Sequence, residues 1–146
     1  MRGLAVAIRE YESRIAHYFK FVSREIRSQR ITATADPSAI VERESSDLLA
    51  KLPDGFDLIA VDERGERWSS EALAAYLADL SMLGRPGAVF VIGGPLGLSE
   101  SLRVRASHVL SLSSFTLPHE LARLVLVEQI YRAGTIQRGE PYHKSG

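Results

Sequence analysis

The sequence predicts one α/β domain built on a mostly parallel sheet with helices on both faces. Three observations predict it. Two short apolar runs, DLIAVD at 57–62 and AVFVIG at 88–93, are bounded by turn residues and have the form of strands buried on both faces. Helical periodicity lies before, between and after them, and strands alternating with helices imply βαβ units. The length, 146 residues with 45% apolar and 25% charged, suits one globular domain around one core.

Each element has its own signal. Leu4, Ile8, Tyr11, Ile15, Tyr18 and Val22 recur at alternating steps of four and three, which predicts an amphipathic helix over residues 4–22. FKFVSREI at 19–26 begins as an alternation and predicts a strand. Asp36 before Pro37 is a cap followed by a first-turn proline, opening a helix that carries Ile40, Val41, Leu48, Leu49 and Leu52. Gly55 separates it from the strand at 57–62, after which ERGE at 63–66 is expected to turn the chain. Ser69 or Ser70 caps a third helix whose Leu73, Leu77 and Leu80 share a face, and Gly84 with Pro86 ends it. After the strand at 88–93 and GPLGL at 94–98, Ser99 caps a short helix, and HVLSLS at 108–113 makes a further strand. The last helix is apolar at Leu121, Leu124, Val125, Leu126, Val127, Ile130 and Tyr131, most of its circumference. Burial all round in so small a domain implies a partner surface, most simply that of a homodimer.

Composition excludes several chemistries. Without cysteine there is no disulfide, thiolate metal site or cysteine nucleophile. No apolar run is long enough to span a bilayer, and Arg9, Glu10 and Glu12 sit where a signal peptide needs an apolar core, so the expected address is the cytoplasm, with no membrane partner. The four histidines lack metal-site spacing, so no metal is expected. Zero net charge argues against gripping nucleic acid by bulk positive charge. The charge is nonetheless two-sided: residues 1–30 hold seven Lys and Arg against three Asp and Glu, and residues 36–66 hold three against nine. That pattern reads as solvated helix faces or as a basic face for phosphates.

Ligands of parallel sheets sit at the carboxyl ends of strands. The candidate loops are therefore DERG after Val61, GGPLG after Ile92 and LSSFTLP beyond Leu110. GGPLG fits neither the dinucleotide nor the P-loop spacing, and Pro95 has no N–H to offer a phosphate. It reads as a tight turn, or as a place where backbone closely approaches a flat ring or another segment. Ser113, Ser114, His119 and Asp62 lack a nucleophile elbow and announce no hydrolase triad. His119 follows Pro118 at a helix start and is expected to satisfy an end group, while His108 is a core or edge residue. Glu128 and Arg132 form an i, i+4 pair, or else Arg132 meets a ligand or an RNA phosphate. The tail RGEPYHK is either a frayed end or a set of groups that stack on unpaired bases and move a proton.

IGGPLG at 92–97, LSLSSFTLPH at 110–119, EQIYRA at 128–133 and RGEPYHK at 138–144, in this order and spacing, closely resemble the RlmH family. These are SPOUT-class methyltransferases acting on N3 of a pseudouridine in 23S ribosomal RNA. LIAVDERGERWSSEALA at 58–74 and IREYESRIAHYFK at 8–20 extend the resemblance over nearly the whole chain. It implies a deep trefoil knot in the C-terminal part, bent S-adenosylmethionine held by the knot loops, and a homodimer. Matched residue by residue, the cofactor site falls on Val61, Gly93, Leu112, Ser113, Ser114, Phe115, Thr116 and Leu117. The tail with Tyr142 and His143 would complete the active site across the dimer and bind RNA. There His143 would take the N3 proton or stack on the RNA, and Arg132 would join the same site. Arg132, Arg138, Lys144, Arg9 and Arg14 are expected at phosphates of an assembled ribosome. The family's opening strand is expected to be missing or reduced to a stub, because the helical period already begins at Leu4. That departure leaves two alternatives: a knotted RNA-binding module without catalysis, and a SPOUT methyltransferase acting on tRNA.

Overall fold

The computed structural model describes residues 2–26, 34 and 36–145. Three parallel strands, β1 (Asp57–Arg67), β2 (Ala88–Ile92) and β3 (His108–Ser111), form a sheet in the order β2-β1-β3. Central β1 buries Leu58, Ile59 and Ala60 because a strand between two neighbours with helices on both faces has no wet side. Alternation sorts its side chains. Leu58 and Ala60 join Val91, Leu98 and Leu102 on one face, under Leu48, Leu49 and Leu52 of the region from α2 (Pro37–Ala50) and beside α4 (Glu100–Arg105). Val61, Phe90 and Ile92 point the other way, onto α1 (Arg2–Ile15) and α5 (His119–Gln137), where Ile8, Ile15, Leu126, Val127 and Ile130 form the core. On that same face Phe90 also meets α3 (Ser70–Met82), whose Leu73 and Ala74 pack on Ala133 of α5.

The helix starts are set by the expected caps. Asp36 accepts from the Ser38 amide at 3.0 Å, Ser69 from Ala72 at 3.0 Å, and Ser99 from Leu102 at 3.1 Å.

Three expectations are corrected. The first helix stops at Ile15 rather than reaching residue 22: Tyr18 and Phe19 both donate their amides to Ile15 O, closing a turn. FKFVSREI pairs with no described strand. Its alternation is satisfied by helices, with Phe19 and Phe21 packed on the core near Ile8 and Leu126 while Ser23 and Glu25 accept from Arg123. ERGE does not turn the chain away, since β1 bulges between Val61 and Glu66 and then pairs again with β3. The apolar circumference of α5 is covered in part within the chain, by α1 on one flank and α3 on the other, while Leu121, Leu124 and Val125 are only half-buried. The closeness of the first flank depends on Gly134, where an added Cβ would lie 2.5 Å from Tyr18 Cγ.

Candidate active site

The register brings the strand ends to one edge. Val61 lies between Ile92 and Leu110, so Gly93 on one side and Ser111–Leu112 on the other leave the sheet beside it. Beyond Val61 the bulge is held by Asp62, which accepts from the Arg64 amide at 2.9 Å and from its guanidinium at 3.0 and 2.9 Å. These bonds, with Arg103 at 3.8 Å, keep the Asp62 carboxyl below its usual pKa despite partial burial. Gly65 then passes so near β3 that a Cβ would meet Val109 O at 2.4 Å. Glu63 Oε2 accepts from Thr116 Oγ1 at 2.7 Å, tying this loop to the one after β3.

The loop after β2 is a closed turn: Gly97 N donates to Gly94 O at 2.9 Å with Gly97 at φ +84°. Gly93 is a glycine for that reason, because a Cβ would stand 2.7 Å from Gly97 C. Its carbonyl accepts from His119 Nδ1 at 3.0 Å. His119 thus ties the start of α5 to another loop, where an end group of its own helix was expected. In the loop after β3, Ser111 Oγ donates to Ser113 O, and Ser113 Oγ accepts from the Phe115 amide, each at 2.9 Å. Leu112 packs half-buried on the α1/α5 face with Val61, Ser113 and Leu117 are half-buried, and Ser114, Phe115 and Thr116 are exposed. An adenine ring needs backbone groups at its edge and apolar side chains on its faces. Phe115 at 82% and Leu96 at 40% exposure are large apolar side chains uncovered on two of the strand-end loops, and Leu112 and Val61 form an apolar floor. These residues fit the nucleoside of S-adenosylmethionine.

The tail forms a second cluster. Gly139, at φ +66°, turns the chain out of α5 into a short α6 (Tyr142–Ser145). Glu128 Oε2 accepts from Arg132 NH2 at 3.1 Å and from the Tyr142 phenol at 3.2 Å, and Arg132 Nε donates to Oε1 at 3.2 Å. Burial, followed by the hydrogen bond with Tyr11 and the charge of Glu128, pushes the Tyr142 phenol pKa well up, so it stays protonated. The Arg132 guanidinium stands 4.9 Å over the Tyr142 ring and donates to His143 Nδ1 at 3.1 Å. Arginine only donates, so Nδ1 accepts and the proton sits on Nε2, which donates to Glu71 Oε1 at 2.6 Å. The His143 bond lowers the Glu71 carboxyl pKa.

Around this cluster lies a face that the sequence reading assigned to a helix core. Tyr131 contacts Tyr11, Tyr18 and Tyr142 at ring separations of 5.9, 5.8 and 4.7 Å. Arg14 lies over Tyr11 and Tyr131, and Arg138 over Tyr18. The available signal was tyrosine rather than leucine at positions 11 and 18, with Arg14 between them. Arg132, Tyr142 and His143 are thus brought together, and Val61, Gly93 and 112–117 are brought together. The two groups approach at one place, where Leu112 lines a pocket with Gln129, whose amide donates to the Glu128 that holds Arg132 and Tyr142.

Among the described residues no cluster of three or more His, Asp or Glu could hold a metal, and no helix is long and apolar enough to cross a membrane.

A family model described as "Predicted SPOUT methyltransferase" matches residues 2–143. A protein of Gemmatimonas aurantiaca named ribosomal RNA large subunit methyltransferase H is 44% identical over 142 residues, covering 97% of this chain and 91% of its own. Proteins of the same name from Clostridium novyi and Listeria welshimeri are 42% and 43% identical over 144 residues, with the same coverage. The chain therefore belongs to the SPOUT methyltransferases, within the family of the large subunit methyltransferase H proteins.

Proposed function

We propose that this protein transfers a methyl group from S-adenosylmethionine to N3 of a pseudouridine in 23S ribosomal RNA. It acts on assembled ribosomes in the cytoplasm, as a homodimer with a deep trefoil knot. The observation that carries the reading is the meeting of three parallel strand ends beside Val61, in a chain whose named relatives are rRNA large subunit methyltransferases.

Val61, Gly93 and the run Leu112, Ser113, Ser114, Phe115, Thr116 and Leu117 hold the cofactor, with backbone groups at the adenine edge and Leu112, Phe115 and Leu117 on its faces. When bound, S-adenosylmethionine supplies an electrophilic methyl group. N3 of a uracil-type ring is a weakly acidic imide, and its proton must leave. His143 receives that proton at Nδ1 once Arg132 turns from the ring to an RNA phosphate, while Nε2–H stays on Glu71 and fixes the tautomer. Tyr142 keeps its own proton and positions Glu128 and Arg132. The tyrosine–arginine face takes unpaired bases and phosphates beside the target. A second copy lays its tail over the first copy's donor loop, where Phe115 and Leu96 are left uncovered. Holding the reactants in line contributes to the rate beside the proton transfer.

The test is transfer of tritiated methyl from S-adenosylmethionine to ribosomes and to bulk tRNA, with mass spectrometry of 23S RNA from cells with and without the gene. Label in ribosomes alone and loss of one methylated pseudouridine without the gene are expected. Label in tRNA instead would overturn the substrate, and calorimetry showing no cofactor binding would leave an RNA-binding module. A His143→Ala variant with an unchanged rate at every pH would remove the base role.

A further inference from the structure

Beside the two clusters lies a half-open pocket of about 300 Å³, of whose lining the roles above use only Leu112. Leu112 of the donor loop lines it together with the apolar side chains of Trp68, Leu73 and Val125. Its polar groups include the Ser70 hydroxyl and the Gln129 side-chain amide. Ser70 Oγ donates to Gln129 Oε1 at 2.6 Å, and Gln129 Nε2 donates to Glu128 Oε1 at 2.8 Å. The amide is therefore held from both ends. Its carbonyl has a second lone pair and its nitrogen a second N–H, so one further acceptor position and one further donor remain in the plane of this amide.

Resting on the pseudouridine reading above, we infer that this cavity takes the target base out of its stack and that Gln129 reads the edge that distinguishes pseudouridine from uridine. Enzymes that act on a base draw it into a fitted pocket, and a volume near 300 Å³ holds one heterocycle. In pseudouridine the ring edge away from the ribose carries N1–H beside the C2 carbonyl, a donor next to an acceptor. The Gln129 carbonyl accepts from N1–H while its N–H donates to the C2 oxygen, leaving N3 directed toward Leu112 and the donor loop. Uridine presents a C–H where pseudouridine has N1–H, so it leaves the Gln129 carbonyl unpaired at that point.

The experiment compares methylation of ribosomes carrying pseudouridine with ribosomes carrying uridine at the methylated position, using the full-length protein. The wild type is expected to favour pseudouridine in kcat/KM by roughly tenfold to a hundredfold, the worth of one unmade bond. Gln129→Met keeps the shape without the polar atoms, so the pseudouridine rate falls toward the uridine rate and the ratio collapses. Gln129→Glu keeps an acceptor for N1–H, so both rates fall while the preference survives. Unchanged cofactor affinity and melting temperature in these variants separate recognition from folding. Equal wild-type rates on both ribosomes, or a ratio unmoved by Gln129→Met, would overturn the inference and leave the methyltransferase reading intact. Methylation of neither ribosome would instead sink the reading on which it rests.

Discussion

Gly134 sits where two opposing effects can be weighed. Alanine in mid-helix is favoured over glycine by about 1 kcal/mol, so Gly134→Ala in α5 would stabilise an isolated helix. In the folded chain the new Cβ would stand 2.5 Å from Tyr18 Cγ and 2.7 Å from Tyr18 Cβ. Cβ is fixed by the backbone, and Cγ can move only by leaving its χ1 rotamer. Tyr18 is also held by Glu140 at 2.6 Å, by the Tyr131 ring and by Arg138. Overpacking of this kind costs about 1–3 kcal/mol, and so close a contact belongs at the upper end, for a net loss of about 1–2 kcal/mol. For a chain of this length each kcal/mol moves Tm by about 3 °C, so circular-dichroism melting should show a fall of roughly 3–6 °C. Ribosome binding should weaken too, because the displaced Tyr18 takes Arg138 with it. In a Tyr18→Gly background both clashing atoms are gone, and Gly134→Ala should become stabilising by up to about 1 kcal/mol. A single variant as stable as the parent, or a penalty that persists in the Tyr18→Gly background, would refute the reasoning.

Three further outcomes are expected. Phe115→Ala removes a side chain that is 82% exposed, so Tm should move by no more than about 2 °C, while calorimetry should show S-adenosylmethionine binding weakened roughly tenfold or more. The bond to Glu140 raises the Tyr18 phenol pKa from 10.0 to about 12. A raised pKa means that its stabilising contribution is complete below the ordinary value and is lost as pH rises through the folded one. An ultraviolet titration should therefore show one phenolate step near pH 12 that Tyr18→Phe abolishes, and a tyrosine set titrating together at the ordinary value would contradict it. Ribosome binding should weaken steeply with salt, and Arg138→Ala should lower the logarithmic slope by about one; a flat series would rule out phosphate contacts on the tyrosine–arginine face.

What could be read from the sequence follows from how local each signal is. The strands at 57–62 and 88–92 are continuous apolar runs because helices cover both their faces, and the helix starts at residues 36, 69 and 99 are written in their own caps. The candidate donor loops were legible because a parallel sheet puts its loops at strand ends. The extension of β1 past Val61 was not, since it depends on Gly65 fitting against the Val109 backbone more than forty residues away. Alternation at 19–26 misled because a groove beside α1 and α5 can accept every second side chain as a neighbouring strand does. In the tail cluster, Arg132, Tyr142 and His143 were singled out, whereas Glu71, which orients the imidazole, lies 72 positions from His143 in the chain and has no local mark.

The last helix shows why apolarity alone misjudges a surface. An all-round greasy helix implies cover on every side, and here two helices of the same chain provide part of it, α1 at Leu126, Val127 and Ile130 and α3 at Ala133, while Leu121, Leu124 and Val125 are only half-buried. What the period conceals is the short polar sequence Glu128, Gln129 and Arg132. Glu128 and Arg132 lie one turn apart and bind each other, and Gln129 turns toward α3 through Ser70. Side chains only 14% and 18% exposed at Arg132 and Glu128 would be costly to bury unpaired. Every one of their partners, Tyr142, His143 and Gln129 included, belongs to the same connected network. Packing therefore buries Leu126, Val127, Ile130 and Ala133 within the chain and leaves Leu121, Leu124 and Val125 half-buried, so the apolar side left for a second copy is the first half of α5.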